Sequence, residues 1–245
     1  MNRFKATGIH LSISVLIVVI ILSAMYVLWY PNNYFFLMGG EKLVTLIGFV
    51  DVFLGPLLTF FVFKPNKSSL KFDLSCIVIL QLAALSYGIY VIQLSRPVFL
   101  VFNKDRFQVA AASDITPKEL KKAKVPEWRE LSVTGPKIVA IATPDKKDKK
   151  ESMFAMVVSE YAYHYPRLYD QYEKYRRDVV KAGIPMTKLV EKNSKNKVMV
   201  DQFITLRKQT VNDFLFIPIS TEFASMSVVI DAKTGRFIQI MNAKN

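Results

Sequence analysis

Residues 43–63 read LVTLIGFVDVFLGPLLTFFVF, an apolar run interrupted only by Asp51 and the Gly55-Pro56 pair. At about 1.5 Å per helical residue it is long enough to cross the roughly 30 Å hydrocarbon core of a bilayer. Upstream, 9–30 carries no charged residue; downstream, 74–94 has only Gln81, Ser86 and Tyr87 as its more polar members. Three transmembrane helices are therefore expected, over 9–30, 43–63 and 74–94. A cleaved secretory signal competes for the first run, because Arg3 and Lys5 precede it. Its apolar length exceeds the roughly 7–15 residues of a signal core, and Leu22 stands where a cleavage site wants a small side chain. Helices buried in a soluble protein would need more polar surface than these short linkers offer.

Charge divides the chain at the same place. The 245 residues hold 33 Lys and Arg against 20 Asp and Glu, a net charge of +13, with 51% hydrophobic residues. Only Arg3, Lys5, Glu41, Lys42, Asp51, Lys64, Lys67, Lys71 and Asp73 are charged before residue 95; the rest of the chain carries the remainder. The expected division is a three-helix membrane region, 1–94, and a soluble domain, 95–245. This apolar content excludes intrinsic disorder, and the lone Cys76 excludes an intramolecular disulfide framework or a cysteine-rich zinc site.

Orientation follows from the short loops. Arg3 and Lys5 precede the first span, and Lys64, Lys67 and Lys71 separate the second and third, whereas 31–42 has one Glu and one Lys. The positive-inside bias puts the N-terminus and the 64–73 loop in the cytoplasm and residues 95–245 on the far side. Trp29, Tyr30, Tyr34, Phe35 and Phe36 cluster where an interfacial aromatic belt is expected.

Asp51 is the costly residue of this region. A carboxylate there costs at least about 2.5–3.5 kcal/mol on insertion scales, so it is expected to face the bundle, be protonated, or both. Counting from the span ends places it about 12 Å below the extracytoplasmic end, level with Ser23, Ser86 and Tyr87. Pro56 lacks an N–H and leaves the Val52 carbonyl without its helical mate, so a kink is expected there. Asp51, Gly55, Pro56, Gln81 and Tyr87 are candidates either for fixing the helix packing or for contacting a visiting transmembrane helix. One acid without a relay is thin support for ion conduction.

The soluble part reads as short alternating elements. Strands are expected at 98–102 and 107–111 across an Asn-Lys-Asp-Arg turn, at 137–143, and at 214–221, 224–231 and 236–241. Thr116-Pro117-Lys118-Glu119 opens a short helix toward Lys124. Helices are expected from Ser152 to about Tyr163, from Pro166 to Ala182 with Gly183 as the stop, and between Met186 and Lys208. The mixed-charge run Asp145–Glu151 reads as a solvated connection. The fold class is an α-helical membrane region plus an extracytoplasmic α+β domain, with helices on one face of an antiparallel sheet.

No catalytic constellation is present. There is no Gly-rich phosphate loop, no His-Glu-x-x-His and no Asp-x-Asp. The two histidines, His10 and His164, fall on opposite sides of the expected membrane; His164 with Glu160 is a surface pair. No enzyme, metal or cofactor is expected. The tyrosine-rich stretch 161–177 stands out: Tyr165, Tyr169, Tyr172 and Arg176 fall at i, i+4, i+7 and i+11, one face of a helix. That face either packs on the sheet or binds a protein partner, since Tyr and Arg dominate interface energetics. Nucleic acid is set aside by the compartment, and the positive charge of the domain favours an acidic partner or membrane lipid headgroups.

Several motifs carry a family resemblance: Arg3-Phe4-Lys5-Ala6 with His10-Leu11; Trp29-Tyr30-Pro31; Asp51-Val52-Phe53-Leu54-Gly55-Pro56-Leu57-Leu58-Thr59; Phe63-Lys64-Pro65; and Gln81 to Gly88. Here the chain resembles the TfpX/TfpZ family of type IV pilin accessory proteins. The likeness is dense to about Phe107 and returns loosely at Val228 to Gly235. It implies a multi-pass inner-membrane protein of Gram-negative bacteria with a periplasmic C-terminal domain, acting as a pilin-specific chaperone or assembly factor. The implied partners are a type IV major pilin, gripped by transmembrane helix and periplasmic head, and inner-membrane pilus assembly proteins. On this reading the second and third spans hold the pilin helix and 152–182 holds the head. The competing readings are a membrane-anchored periplasmic sensor, which lacks a cytoplasmic output module, and a non-catalytic cell-envelope binding module.

Overall fold

A computed structural model describes residues 2–143 and 149–243. Among the described residues, three helices are long and apolar enough to cross a membrane: a first span, Arg3–Trp29, a second, Gly40–Val62, and a third, Leu70–Ser95. Each begins ahead of the run expected from sequence, because helical hydrogen bonding extends into the preceding turn. Asn2 caps the first span, its side chain accepting from the Lys5 N–H at 2.9 Å. Two stretches are π-helical, Met25–Trp29 closing the first span and Phe49–Leu54 inside the second.

The chain divides into two compact units, Met1–Trp29 with Gly39–Ser95 and Tyr30–Met38 with Arg96–Asn245. The connection between the first two spans thus belongs to the second unit, where the sequence reading placed it with the membrane helices. Hydrogen bonds show why. The Asn33 amide donates to the Ile240 carbonyl at 2.6 Å, and the Thr221 hydroxyl donates to the Leu37 carbonyl at 2.5 Å. Tyr30 and Tyr34 are buried, not displayed as an interfacial belt, and burial holds both phenols well above the usual tyrosine range. Gly135, at φ +73°, leaves room for Pro31, whose ring would lie 2.7 Å from any Cβ there.

The second unit is built on an eight-stranded sheet, ordered β4-β3-β1-β2-β6-β7-β8 with β5 added beside β6. The strands are β1 (Pro97–Asn103), β2 (Arg106–Ala111), β3 (Lys137–Ile141), β4 (Tyr169–Gln171), β5 (Ile184–Pro185), β6 (Phe214–Ser220), β7 (Ser225–Asp231) and β8 (Phe237–Met241). The sheet is mixed, not antiparallel as expected. β1 pairs β3 in parallel because the long connection through Trp128 carries the chain back to the same end, and β2 pairs β6 in parallel at Phe107 opposite Ile219. β1 is buried along its whole length, which its unalternating Val98-Phe99-Leu100-Val101-Phe102 run demands, so both faces of the central strands are covered rather than one.

Two apolar cores lie along this sheet. Val98, Phe99, Val101, Trp128, Val139 and Tyr169 belong to one; Met186, Leu189, Val200, Phe203, Phe214 and Val229 belong to the other. The hairpin turn between β1 and β2 is tighter than the sequence implied. Asn103 already pairs with Arg106, leaving Lys104-Asp105 as the turn, with Lys104 at φ 58°. Thr116 caps a helical turn at Pro117–Leu120, which stops short of Lys124. The 186–208 helix is two, Met186–Lys192 and Ser194–Arg207, separated by Asn193, whose side chain caps the second. The run from Asp145 lies largely outside the described residues.

The largest departure is the tyrosine-rich stretch. Instead of a helix from Pro166 to Ala182, the chain forms a 3-10 turn at Pro166–Leu168, then β4, a second 3-10 turn at Tyr172–Tyr175, and a helix only at Arg176–Ala182. β4 pairs antiparallel with β3, Tyr169 opposite Ile141. The i, i+4, i+7 spacing therefore does not form one face.

Candidate functional site

In the first unit the candidate residues meet around the π-helical stretch of the second span. In that register a carbonyl accepts from the N–H five residues on, and the Gly55 N–H duly reaches the Val50 carbonyl. The next donor would be Pro56, which has none, so the orphan is the Asp51 carbonyl rather than that of Val52. Gln81, from the third span, fills the vacancy: its Nε2 donates to the Asp51 carbonyl at 3.2 Å. Only glycine at 55 admits that side chain, since a Cβ there would fall 1.9 Å from Gln81 Nε2.

The network continues to the first span. With its NH2 directed at Asp51, Gln81 presents Oε1 to His10 Nε2 at 2.6 Å, and His10 Nδ1 lies 2.6 Å from Thr59 Oγ1. An amide oxygen only accepts, so the ring donates from Nε2; the Thr59 hydroxyl then donates to Nδ1. One chain of hydrogen bonds ties all three spans, as an apolar surrounding favours.

The Asp51 side chain stands beside this chain and outside it. Asp51 is 6% exposed and occupies the midpoint of Gly40–Val62, about 16 Å from either end rather than the 12 Å expected. Among the described residues, neither of its carboxylate oxygens receives a hydrogen bond. Ser23 and Ser86 are exposed and Tyr87 is 69% exposed, so none of these depth-matched hydroxyls serves it. Asp51 instead lines a cavity of about 420 Å³ together with His10, Ser14, Thr59 and Gln81 and a surround of aliphatic side chains. The first and third spans both pack on the second and barely on each other, which leaves this cavity as a groove between them.

The structure thus brings Asp51, Gly55, Pro56 and Gln81 together, leaves Tyr87 out, and adds His10, Thr59 and Ser14. His10 escaped the sequence reading because its span starts at Arg3, so it sits within the helix rather than at a boundary.

Of the second-unit candidates, Tyr169 and Tyr172 lie in the core. Tyr169 is fully buried, edge-on to Phe99 with ring centroids 5.1 Å apart, and its hydroxyl donates to the Tyr163 carbonyl. Tyr172 is buried and donates to the Gly235 carbonyl at 2.7 Å. Gly235, at φ +66°, lies against the Arg176 carbonyl, which a Cβ would approach to 2.4 Å. Tyr165 is half-buried with its ring 5.0 Å from Phe154, over which Arg167 stacks at 3.4 Å. Arg176 makes a 3.6 Å ion pair with Glu173. Among the described residues, no group of three or more His, Cys, Asp or Glu side chains is placed to hold a metal ion.

These features point to a membrane-associated protein with a mixed-sheet domain and a polar site among its long apolar helices. Residues 1–39 match the family model described as fimbrial assembly protein FimB. The chain is 30% identical over 232 residues to the fimbrial assembly protein of serogroup I from Dichelobacter nodosus, covering 93% of this chain and 90% of that one. A second relative, the fimbrial assembly protein of serogroups C1 and C2 from the same organism, is 39% identical over 121 residues, 49% of this chain and 92% of that protein. The chain belongs to the fimbrial assembly protein family. No solved structure matches it.

Proposed function

We propose that this protein is an accessory factor for type IV fimbriae, of the TfpX/TfpZ kind, that binds a cognate major pilin in the inner membrane and promotes its stability and assembly without catalysing a reaction. The observation that carries this reading is the similarity to fimbrial assembly proteins, which runs through both the membrane helices and the mixed-sheet unit. Orientation rests on the basic residues Arg3, Lys5, Lys64, Lys67 and Lys71, which favour a cytoplasmic N-terminus and a periplasmic second unit. A grip on both parts of a membrane-anchored subunit suits a chain whose two halves prefer different solvents. With Tyr169 and Tyr172 committed to the core, the part of 152–182 left to meet a pilin head is its exposed apolar stretch, Met153, Met156, Val157 and Tyr161.

The test is deletion of the gene with complementation. Loss of surface fimbriae and reduced membrane-bound pilin, both restored by the full chain, is the expected outcome, together with co-purification of the tagged major pilin in mild detergent. Unaltered fimbriation and pilin level in the deletion strain would refute the assignment.

A further inference from the structure

We infer that the groove between the first and third spans is the seat of a partner's transmembrane helix, one that brings a hydroxyl or amine hydrogen-bond donor to Asp51. This deepens the pilin-binding reading and rests on it.

Three observations converge. The groove extends from Ala6 to Ile17 on the first span and from Leu74 to Leu85 on the third, about three helical turns or roughly 16 Å on each wall. Its walls are aliphatic and half open: Ile13 is 52% exposed and Leu82 54%. Its floor holds Asp51, a residue 6% exposed at mid-span, with neither carboxyl oxygen hydrogen-bonded among the described residues. An intramembrane acid in this condition is expensive and calls for a partner.

The neighbouring network gives its oxygens no hydrogen bond. Gln81 spends its NH2 on the Asp51 backbone and its oxygen on His10, while His10 and Thr59 are engaged with each other. These bonds brace the floor and leave the Asp51 carboxyl, with the Ser14 hydroxyl beside it in the lining, to meet an occupant. A lipid acyl chain filling the same volume brings no donor to that depth. A helix does, since a side-chain hydroxyl or amine projects sideways at any chosen level, and its backbone is already satisfied. Charge complementarity therefore selects a helix over lipid.

The experiment uses the full chain in cells that produce the epitope-tagged major pilin of the same bacterium. A photo-cross-linking amino acid is placed at Ile13 or Leu82 in the groove, or at Val19 or Ile79, exposed span positions that do not line it. Pilin adducts are expected at the first two positions and not at the last two. They should fall at least tenfold in Asp51→Leu and persist in Asp51→Glu. Leu82→Trp, which fills the groove away from the hydrogen-bonded residues, should lower the Ile13 adduct by a similar factor even if Asp51→Leu fails to accumulate. Equal adducts at all four positions, adducts undiminished by both substitutions, or groove adducts made only of lipid or of a second copy of this chain would overturn the inference. Pilin that co-purifies with wild type and Asp51→Leu alike, without groove adducts, removes the groove and leaves pilin binding intact. Absence of co-purification from every variant removes both.

Discussion

At the level of single residues, the second span depends on a fitted triplet: Pro56 withholds a donor, Gln81 replaces it, and Gly55 makes way. Gly55→Ala puts a methyl where Gln81 lies and should destabilise the bundle by about 1–3 kcal/mol, the range of overpacking. Gln81→Ala leaves the Asp51 carbonyl unmated and should cost a similar amount. The two should be strongly non-additive, because removing the amide also removes the clash; denaturation of the four proteins of the cycle in one detergent measures the coupling. In the second unit, Tyr172→Phe forfeits the bond to Gly235 and should lower stability by about 0.5–1.5 kcal/mol. Asp51, Gly55, Pro56 and Gln81 were legible in the sequence as polar or backbone-breaking residues in apolar runs. His10 and Thr59 were not, because depth counted from assumed helix ends misplaced the first and a threonine hydroxyl normally back-bonds its own helix.

Among the elements, the π-helical turn explains why the expected kink took another form. Widening the turn moves the orphaned carbonyl by one residue, to where the third span can reach it. Pro56→Ala would return an N–H to that carbonyl, so Gln81→Ala should cost less in the Pro56→Ala background than in wild type, by the same denaturation assay. The tyrosine stretch failed for a different reason. Its 3.6-residue spacing was genuine, but the edge of β3 was open to pairing, and burial of Tyr169 against Phe99 and Trp128 outweighed local helix preference. The β7–β8 hairpin, by contrast, was readable because its turn chemistry is local. Asp231 accepts from the Lys233 and Thr234 N–H groups and the Thr234 hydroxyl; burial pushes its carboxyl up, but these bonds outweigh it and hold the carboxyl below the usual range. Asp213 is held low by the Thr210 N–H and hydroxyl. A carboxyl depressed in the folded state adds stability above its unfolded pKa and loses that contribution as pH falls through the folded value. The midpoint of thermal unfolding should therefore drop on acidification below about pH 4, and drop less in the Asp213→Asn, Asp231→Asn double variant.

Across the whole molecule, the two compact units meet along the chain at Ser95/Arg96, and 30–38 goes with the second. Composition reports which solvent a segment tolerates, not which neighbour it hydrogen-bonds. The sheet's mixed order was hidden for a related reason: strand identity is local, whereas the β1–β3 and β2–β6 pairings depend on where long connections return the chain. Replacing Met156 and Val157 by Asp should reduce pilin retention several-fold in a pull-down while leaving the melting curve unchanged, since both side chains are more than three-quarters exposed.

The bond from Asn33 to Ile240 also sets an order of events. A ribosome delivers the loop long before Thr221 and Ile240, the residues that hold it at Leu37 and Asn33, so residues 30–38 wait, unlatched, until the late strands are made. Chains that stop short of Phe214 should stay cleavable at that loop under limited proteolysis while the full chain resists. Pairing of the second unit's late strands would then be reported, as resistance to cleavage, at a loop that lies far ahead of them in the chain.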